Sequence, residues 1–296
     1  MISRQGSVLQ DGLPIADNSR MLYETHMHTP LCKHAFGSPE DYGAAARARG
    51  LAGITVTCHN PLPDGIGARI RMDESEWPLY LDLVARAREA MAPDIDVRLG
   101  LEADYMPGLE PFLSKQLASA PFDYVLGSVH WHMPEWQHRF WVNDSLRQLY
   151  TVYFEQLALA AESGLFDCLA HPDLIKNVSP SRWDFEENRD LIETALDRVA
   201  ATGTAMELNT SGRLKAMGEF NPGKTMLECM KVRNIPVVVG SDAHTPERVG
   251  DAFEDAFEVL LEVGYANISL FSGRQRYEVP LTEALASLRA GQKAVL

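Results

Sequence analysis

Short apolar runs alternate along this chain with longer stretches whose apolar positions recur at helical spacing. The short runs predict strands over 21–28, 52–58, 97–103, 124–130, 167–171, 205–209 and 236–242. The longer stretches predict helices over 42–49, 74–91, 109–120, 145–163, 185–202, 222–232, 246–263 and 281–288, with one further apolar run at 268–271. The first helix carries its own start and stop signals. Ser38 can cap it, Pro39 suits its first turn, Glu40 and Asp41 complement the dipole, and Gly50 ends it.

About seven strand–helix units follow one another without a long linker. Such alternation implies a mainly parallel sheet. Seven or eight units can close into a barrel, whereas an open doubly wound sheet would gather its ligands at one crevice. Here nearly every strand end carries a polar candidate, which favours a closed α/β barrel. Residues 1–20 are polar and read as an N-terminal arm; 21–296 read as one barrel domain. No sequence repeat and no low-complexity tract is visible.

Composition narrows the classes. The chain has 296 residues, 46% of them apolar and 23% charged, as in an ordinary globular protein. Its formal charge of −14 argues against nucleic-acid binding, which needs a basic footprint. The four cysteines (Cys32, Cys58, Cys168 and Cys229) form no Cys-x-x-Cys pair, which suits a reducing compartment. Residues 1–20 lack the apolar core of a signal peptide, and no run is long enough to span a bilayer. A cytoplasmic protein with no membrane partner is expected; its oligomeric state is open.

The polar residues at the strand ends change the picture most. The runs finish at His26 and His28, at His59, at Glu102, at His130, at His171 and at Asp242 with His244, and His34 follows the first run by a short loop. Seven of the nine histidines thus stand at one topological place together with two acids. Residues two apart on a strand share a face, so His26 and His28 point the same way, as do Asp242 and His244 if the strand reaches them. Imidazole and carboxylate are the ligands of first-row transition metals, and nine such groups on one rim could hold more than one ion. A lone histidine at a strand end is more often a satisfied polar residue, but coincidence at all these positions is a poor account. His132 and His138 fit no strand end; they lie in a loop with Trp131, Trp136 and Arg139, which reads equally as a solvated lid or as a substrate-facing segment.

Together these strings resemble the PHP (polymerase and histidinol phosphatase) superfamily, and its histidinol-phosphatase branch in particular. The resemblance rests on Thr25-His26-Met27-His28-Thr29-Pro30-Leu31-Cys32-Lys33-His34, Thr57-Cys58-His59-Asn60-Pro61, Gly100-Leu101-Glu102-Ala103-Asp104, Gly127-Ser128-Val129-His130, His171-Pro172-Asp173-Leu174 with Lys176, Asn209-Thr210-Ser211-Gly212 and Gly240-Ser241-Asp242-Ala243-His244. It implies a distorted (β/α)7 barrel with a trinuclear metal site of zinc, iron or manganese. Carried over, His26, His28, Glu102 and Asp242 would hold one ion. Glu102 would bridge to a second, completed by His130 and His171, and His34, His59 and His244 would hold a third. Similar proteins usually have Asp where this chain has Cys58. On a strand Cys58 points away from the face of His59, so it reads as a packing residue or a neighbour of the ligands.

The resemblance further implies a metal-dependent phosphomonoesterase converting L-histidinol phosphate to L-histidinol and phosphate, a step of histidine biosynthesis. Two or three divalent ions would make the site cationic within an acidic protein, favouring a phosphate dianion. In-line attack by metal-bound hydroxide is expected, with Asp242 or His244 shuttling the proton. Lys176, Arg182, Arg213 and Arg71 follow strand ends and are candidate phosphate contacts, and Asp104 is a candidate for the cationic end of the substrate. Three alternatives stand beside this reading: a phosphoesterase of the same superfamily acting on another small phosphate or a nucleotide, a metal-dependent amidohydrolase, and a non-catalytic metal-stabilised module. Glu102 as the bridge, where amidohydrolases often use a carbamylated lysine, argues against the second. The full ligand set argues against the third.

Overall fold

The computed structural model describes residues 21–141 and 145–294. The arm expected over 1–20 lies outside the described residues. Seven parallel strands run in chain order: β1 (Tyr23–Met27), β2 (Gly53–Val56), β3 (Asp96–Asp104), β4 (Tyr124–Ser128), β5 (Cys168–Leu169), β6 (Ala205–Asn209) and β7 (Val237–Gly240). Each pairs with the next, and the order nowhere reverses, which excludes the doubly wound alternative. Helices α1 (Pro39–Ala48), α2 (Trp77–Met91), α3 (Glu110–Leu117), α4 (Pro134–Phe140), α5 (Leu146–Glu162), α6 (Arg189–Thr202) and α7 (Lys224–Val232) connect them, and α8 (Phe253–Val263) follows β7. The fold is a distorted seven-stranded β/α barrel.

The first and last strands meet sparingly. Met27 and Ala243 form one isolated parallel bridge, with His28 N donating to Ala243 O at 2.9 Å and Ala243 N to His26 O at 3.0 Å. Thr25 Oγ1 adds a bond to Val239 O at 2.8 Å. The β1–β2 register shifts between Glu24 and Met27. Thr25 lines the barrel's lower interior with Tyr23 and Thr55, and the shift lets His26 turn inward directly after it.

Below the barrel, β8 (Asn267–Ser272) and β9 (Gln275–Pro280) form an antiparallel hairpin followed by α9 (Leu281–Ala294). The apolar run at 268–271 is one arm of this hairpin, a pairing the alternating pattern does not reveal. Its Phe271 stacks on Tyr124 at 5.1 Å and packs with Leu126, Cys168, Ala205 and Val238, closing the amino-terminal mouth. Arg98 donates to Phe271 O and lies 3.7 Å from the Tyr23 ring centre, so the plug is also tied by polar contacts.

Several expected boundaries move. β5 is only Cys168–Leu169, because His171 takes a φ of 28° and leaves the strand. The helix expected from 246 starts at Phe253, since Gly250 and Ala252 both have positive φ. Helix α4, within the expected loop of aromatic residues, was not foreseen. Among the described residues no helix is long and apolar enough to cross a membrane.

Candidate metal centre

Parallel strands deliver their carboxy-terminal ends to one face, and every strand from β1 to β7 except β6 ends beside one of the nine expected ligands. Glu102, fully buried, is the hub. Its Oε2 lies 2.8 Å from His59 Nδ1, 3.4 Å from His26 Nε2 and 3.5 Å from His28 Nε2. Its Oε1 lies 3.1 Å from His171 Nε2 and 3.4 Å from His130 Nε2. Asp242 Oδ1 is 3.1 Å from His28 Nε2 and 3.6 Å from His26 Nε2. His34 and His244 bring their Nε2 atoms to 2.9 Å of each other, and the His244 ring stacks on His28 at 4.0 Å. All nine residues are therefore gathered in one place. Asp242 and His244 lie past the end of β7, yet the Met27–Ala243 bridge keeps them at the rim.

The donor atoms fall into overlapping groups, each within 4.8 Å: His26, His28 and Glu102; His59, Glu102 and His130; His34, His59 and His244. A fourth, His28, Cys32 and His244, includes a thiol that spacing alone does not suggest. The buried His26 Nε2, His59 Nδ1 and Glu102 Oε2 have no hydrogen-bond partner despite their proximity. Lone-pair atoms packed together, buried and unsatisfied, are what a cation site requires. The nitrogen and oxygen donor set suits zinc, iron or manganese.

The far sides of four imidazoles, those of His26, His34, His130 and His244, are held by protein groups. His26 Nδ1 lies 2.7 Å from Glu207 Oε1, and the other oxygen of Glu207 accepts from His171 N and Asn209 Nδ2. His34 Nδ1 donates to Cys32 O, His244 Nδ1 to Asp242 O, and His130 Nδ1 to Asp104 Oδ1. Each contact favours the proton on Nδ1 and leaves Nε2 facing the centre. Glycine at 240 follows from this crowding: a Cβ there would sit 2.5 Å from Glu207 Oε1 and 2.7 Å from His26 Cβ. His171 and Asp242, at φ 28° and 52°, are non-glycine residues in the left-handed region, a strain that concentrates at functional sites.

Charge divides unevenly within the cluster. Burial disfavours the charged forms of His26, His28, His59, His244, Glu102 and Asp242. It pushes His59 well below the ordinary histidine range and, with the nearby His28 charge, takes His244 down to about 3. For His28 burial is outweighed by Asp242, Cys58 and Glu102, and its pKa rises to about 9. Burial also opposes the rise of His26, but Glu207, Asp242 and Glu102 carry it well upward. Glu102 and Asp242 stay far below the carboxylate range against their own burial, Glu102 through His59, His26 and His130, Asp242 through His26 and Lys215.

The cluster forms the floor of a cavity of about 400 Å³ whose walls include Ile70, Trp131, His132, Leu174, Asn177 and Lys215. None of the five expected substrate contacts lines it. Arg71 and Asp104 are buried against each other. Lys176 is buried against Asp173 at 2.8 Å, Phe220 O at 2.7 Å and Glu219 at 3.0 Å. Arg213 pairs with Asp255 on the surface, and Arg182 is exposed on a short turn, Pro180–Arg182. The cation at the wall is Lys215, whose Nζ lies 2.7 Å from Ser211 Oγ and 3.5 Å from Asp242 Oδ2. It sits two residues past Arg213, and sequence reasoning missed it. Glu207 was missed too, although a charged residue inside an apolar strand is a readable signal. Cys58 is buried behind the ligands, where its sulfur accepts from Thr29 Oγ1 at 3.2 Å.

A barrel with this rim defines a class, and comparison bears it out: residues 24–211 match the PHP domain and 225–255 match a PHP-associated segment. The chain belongs to the PHP domain family. A probable histidinol-phosphatase of Deinococcus radiodurans is 39% identical over 249 residues, covering 82% of this chain and 94% of that protein. The histidinol-phosphatase of Bacillus subtilis is 25% identical, covering 79% of this chain and 97% of its own length. Among solved structures, histidinol phosphate phosphatase from Lactococcus lactis, complexed with zinc, L-histidinol and phosphate, superposes with a TM-score of 0.74 at 19% identity, over 86% of this chain and 98% of that one.

Proposed function

We propose that this chain is a divalent-metal-dependent phosphomonoesterase that hydrolyses L-histidinol phosphate to L-histidinol and phosphate, in the cytoplasm. The observation that carries the reading is the convergence of seven imidazoles on two carboxylates, the buried Glu102 and the partly exposed Asp242, at the floor of an open cavity. The probable histidinol-phosphatase of Deinococcus radiodurans and the histidinol-phosphatase of Bacillus subtilis, each matched over nearly its whole length, support the substrate.

In this reading His26, His28, Glu102 and Asp242 hold one cation, Glu102 with His130 and His171 a second, and His34, His59 and His244 a third. Zinc, iron or manganese there supplies Lewis acidity toward a phosphate ester and its hydrolysing water. Lys215 meets a phosphate oxygen, since its ammonium group is at the cavity wall and Ser211 fixes its direction. Asp242 and His244 handle the proton that the leaving alkoxide oxygen must gain. His132, held down to about 3 by burial and by His130, stays neutral, so it can accept a hydrogen bond without repelling a cationic leaving group. Trp131, Ile70 and Leu174 supply the apolar wall against the imidazole end.

The test strips the full-length protein with chelator, reloads it with zinc, iron(II) or manganese, and follows phosphate release from L-histidinol phosphate and a panel of phosphomonoesters including nucleotides. Metal-dependent release with the highest kcat/KM on histidinol phosphate is expected. Stoichiometric metal with no ester turned over would overturn the reading; turnover of nucleotides alone would keep the chemistry and reject the substrate.

A further inference from the structure

We propose that Arg71 is a positioning residue for the metal centre, acting through Asp104 to hold His130 in the orientation and tautomer that present its Nε2 to a cation. The inference rests on the reading of His130 as a ligand.

Arg71 comes from the loop that follows β2, and its side chain is only 1% exposed. Nη1 donates to Asp104 Oδ2 and to Asn60 O at 3.2 Å, while Nη2 lies 2.9 Å from Met133 Sδ. Asp104 ends β3, two residues beyond Glu102, and is fully buried. Its second oxygen, Oδ1, accepts from His130 Nδ1, and its backbone N–H donates to Asn60 Oδ1 at 3.1 Å. One carboxylate is thus shared edge to edge between a guanidinium and an imidazole.

A neutral imidazole has one N–H. An acceptor at Nδ1 keeps that proton there and leaves the Nε2 lone pair free, 3.4 Å from Glu102 Oε1 and on the cavity side. The carboxylate can do this only while its plane is fixed. Asn60 holds the backbone of Asp104, but among the described residues the side-chain contact on Oδ2 is Arg71. The geometry also explains why a cation that the sequence offered as a phosphate contact lies away from the cavity wall. Arg71 joins the loop after β2, at one side of the rim, to a ligand at the end of β4.

The experiment measures zinc and manganese affinity by competition with a chromophoric chelator, using chelator-stripped full-length wild type, Arg71→Met, Arg71→Lys, Asp104→Asn and the Arg71→Met/Asp104→Asn double variant, each checked for folding by circular dichroism. Arg71→Met is expected to weaken one equivalent of metal by about 10–100-fold, the range for loss of an orienting partner. Arg71→Lys, which can still donate to Oδ2, is expected to stay within about threefold of wild type. The double variant is expected to be no weaker than Asp104→Asn alone, because residues acting as one unit are not additive. Unchanged affinity in Arg71→Met, or additive losses in the double variant, would overturn the proposal. Should Arg71→Met not fold, Arg71→Lys against the Asp104→Asn cycle still decides, read as full retention or additive loss. If wild type itself binds no metal, the functional reading above falls instead, so the two failures are distinguishable.

Discussion

Replacing Glu207 by glutamine isolates the contribution of one buried acceptor to the metal centre. Oε1 faces His26 Nδ1 at 2.7 Å, and Oε2 accepts from His171 N at 2.9 Å and Asn209 Nδ2 at 3.0 Å. A glutamine offers one oxygen and one NH2. With its oxygen on His26, two buried donors face an NH2, at about 1–3 kcal/mol each. With its oxygen on the other pair, only His26 is mismatched, and loss of the Nδ1 proton, with the Nε2 proton kept, relieves that. The second arrangement is the less costly, and it leaves no lone pair pointing at Glu102 and Asp242. Because Glu207 leads the groups that raise the His26 pKa, Glu207→Gln should cost the metal-free protein about 1–3 kcal/mol, while weakening the cation beside His26 by about 10–100-fold, or roughly 1.4–2.7 kcal/mol. The assay is zinc competition with a chelator, paired with thermal melts of the stripped protein and phosphate release as a function of added zinc. Activity should return at high zinc. Equal zinc affinity in both proteins would refute the reasoning, as would a variant whose stripped form has lost most of its stability.

Gly240→Ala should mimic that variant from the backbone side, because the new methyl overlaps both Glu207 and His26; metal content after dialysis checks it, and full retention would count against the crowding argument. Phe271→Ala should cost about 3–5 kcal/mol in chemical denaturation yet leave metal stoichiometry intact, since the plug lies at the opposite mouth from the ligands. Lys215→Gln should raise KM for the phosphate ester about tenfold or more, the value of a charge-assisted hydrogen bond, with kcat less affected. Removing metal with chelator should abolish phosphate release and lower Tm, and zinc should restore both.

What the sequence disclosed and what it concealed divide along physical lines. The barrel was legible because strand and helix periods are local properties, and the ligands were legible because parallel strands all end on the same face. The hairpin under the barrel was not, since an apolar run at 268–271 reads alike whether its partner is parallel or antiparallel. The register shift in β1 also left no signature, although it allows Thr25 and His26 to serve the same interior. Charged contacts were read least well. Arg71, Lys176 and Arg213 follow strand ends as a phosphate clamp should, but their partners Asp104, Glu219 and Asp255 belong to segments far off or to turns that periodicity does not fix. Arg213 lies within a turn of 3-10 helix, Thr210–Leu214, and faces Asp255, whereas Lys215 caps the end of that turn and faces the cavity. The likeness in type and position of those two cations hides opposite directions.

The narrow seam between β1 and β7 gives the cations a second task. His26 and His28 stand on one side of it and Asp242 and His244 on the other, more than two hundred residues away along the chain. Ions bound among them would rivet the two ends of the barrel wall where the backbone supplies a single rung. In such a design, loading with metal and shutting the cylinder become one event, and a stripped molecule would part first along that line.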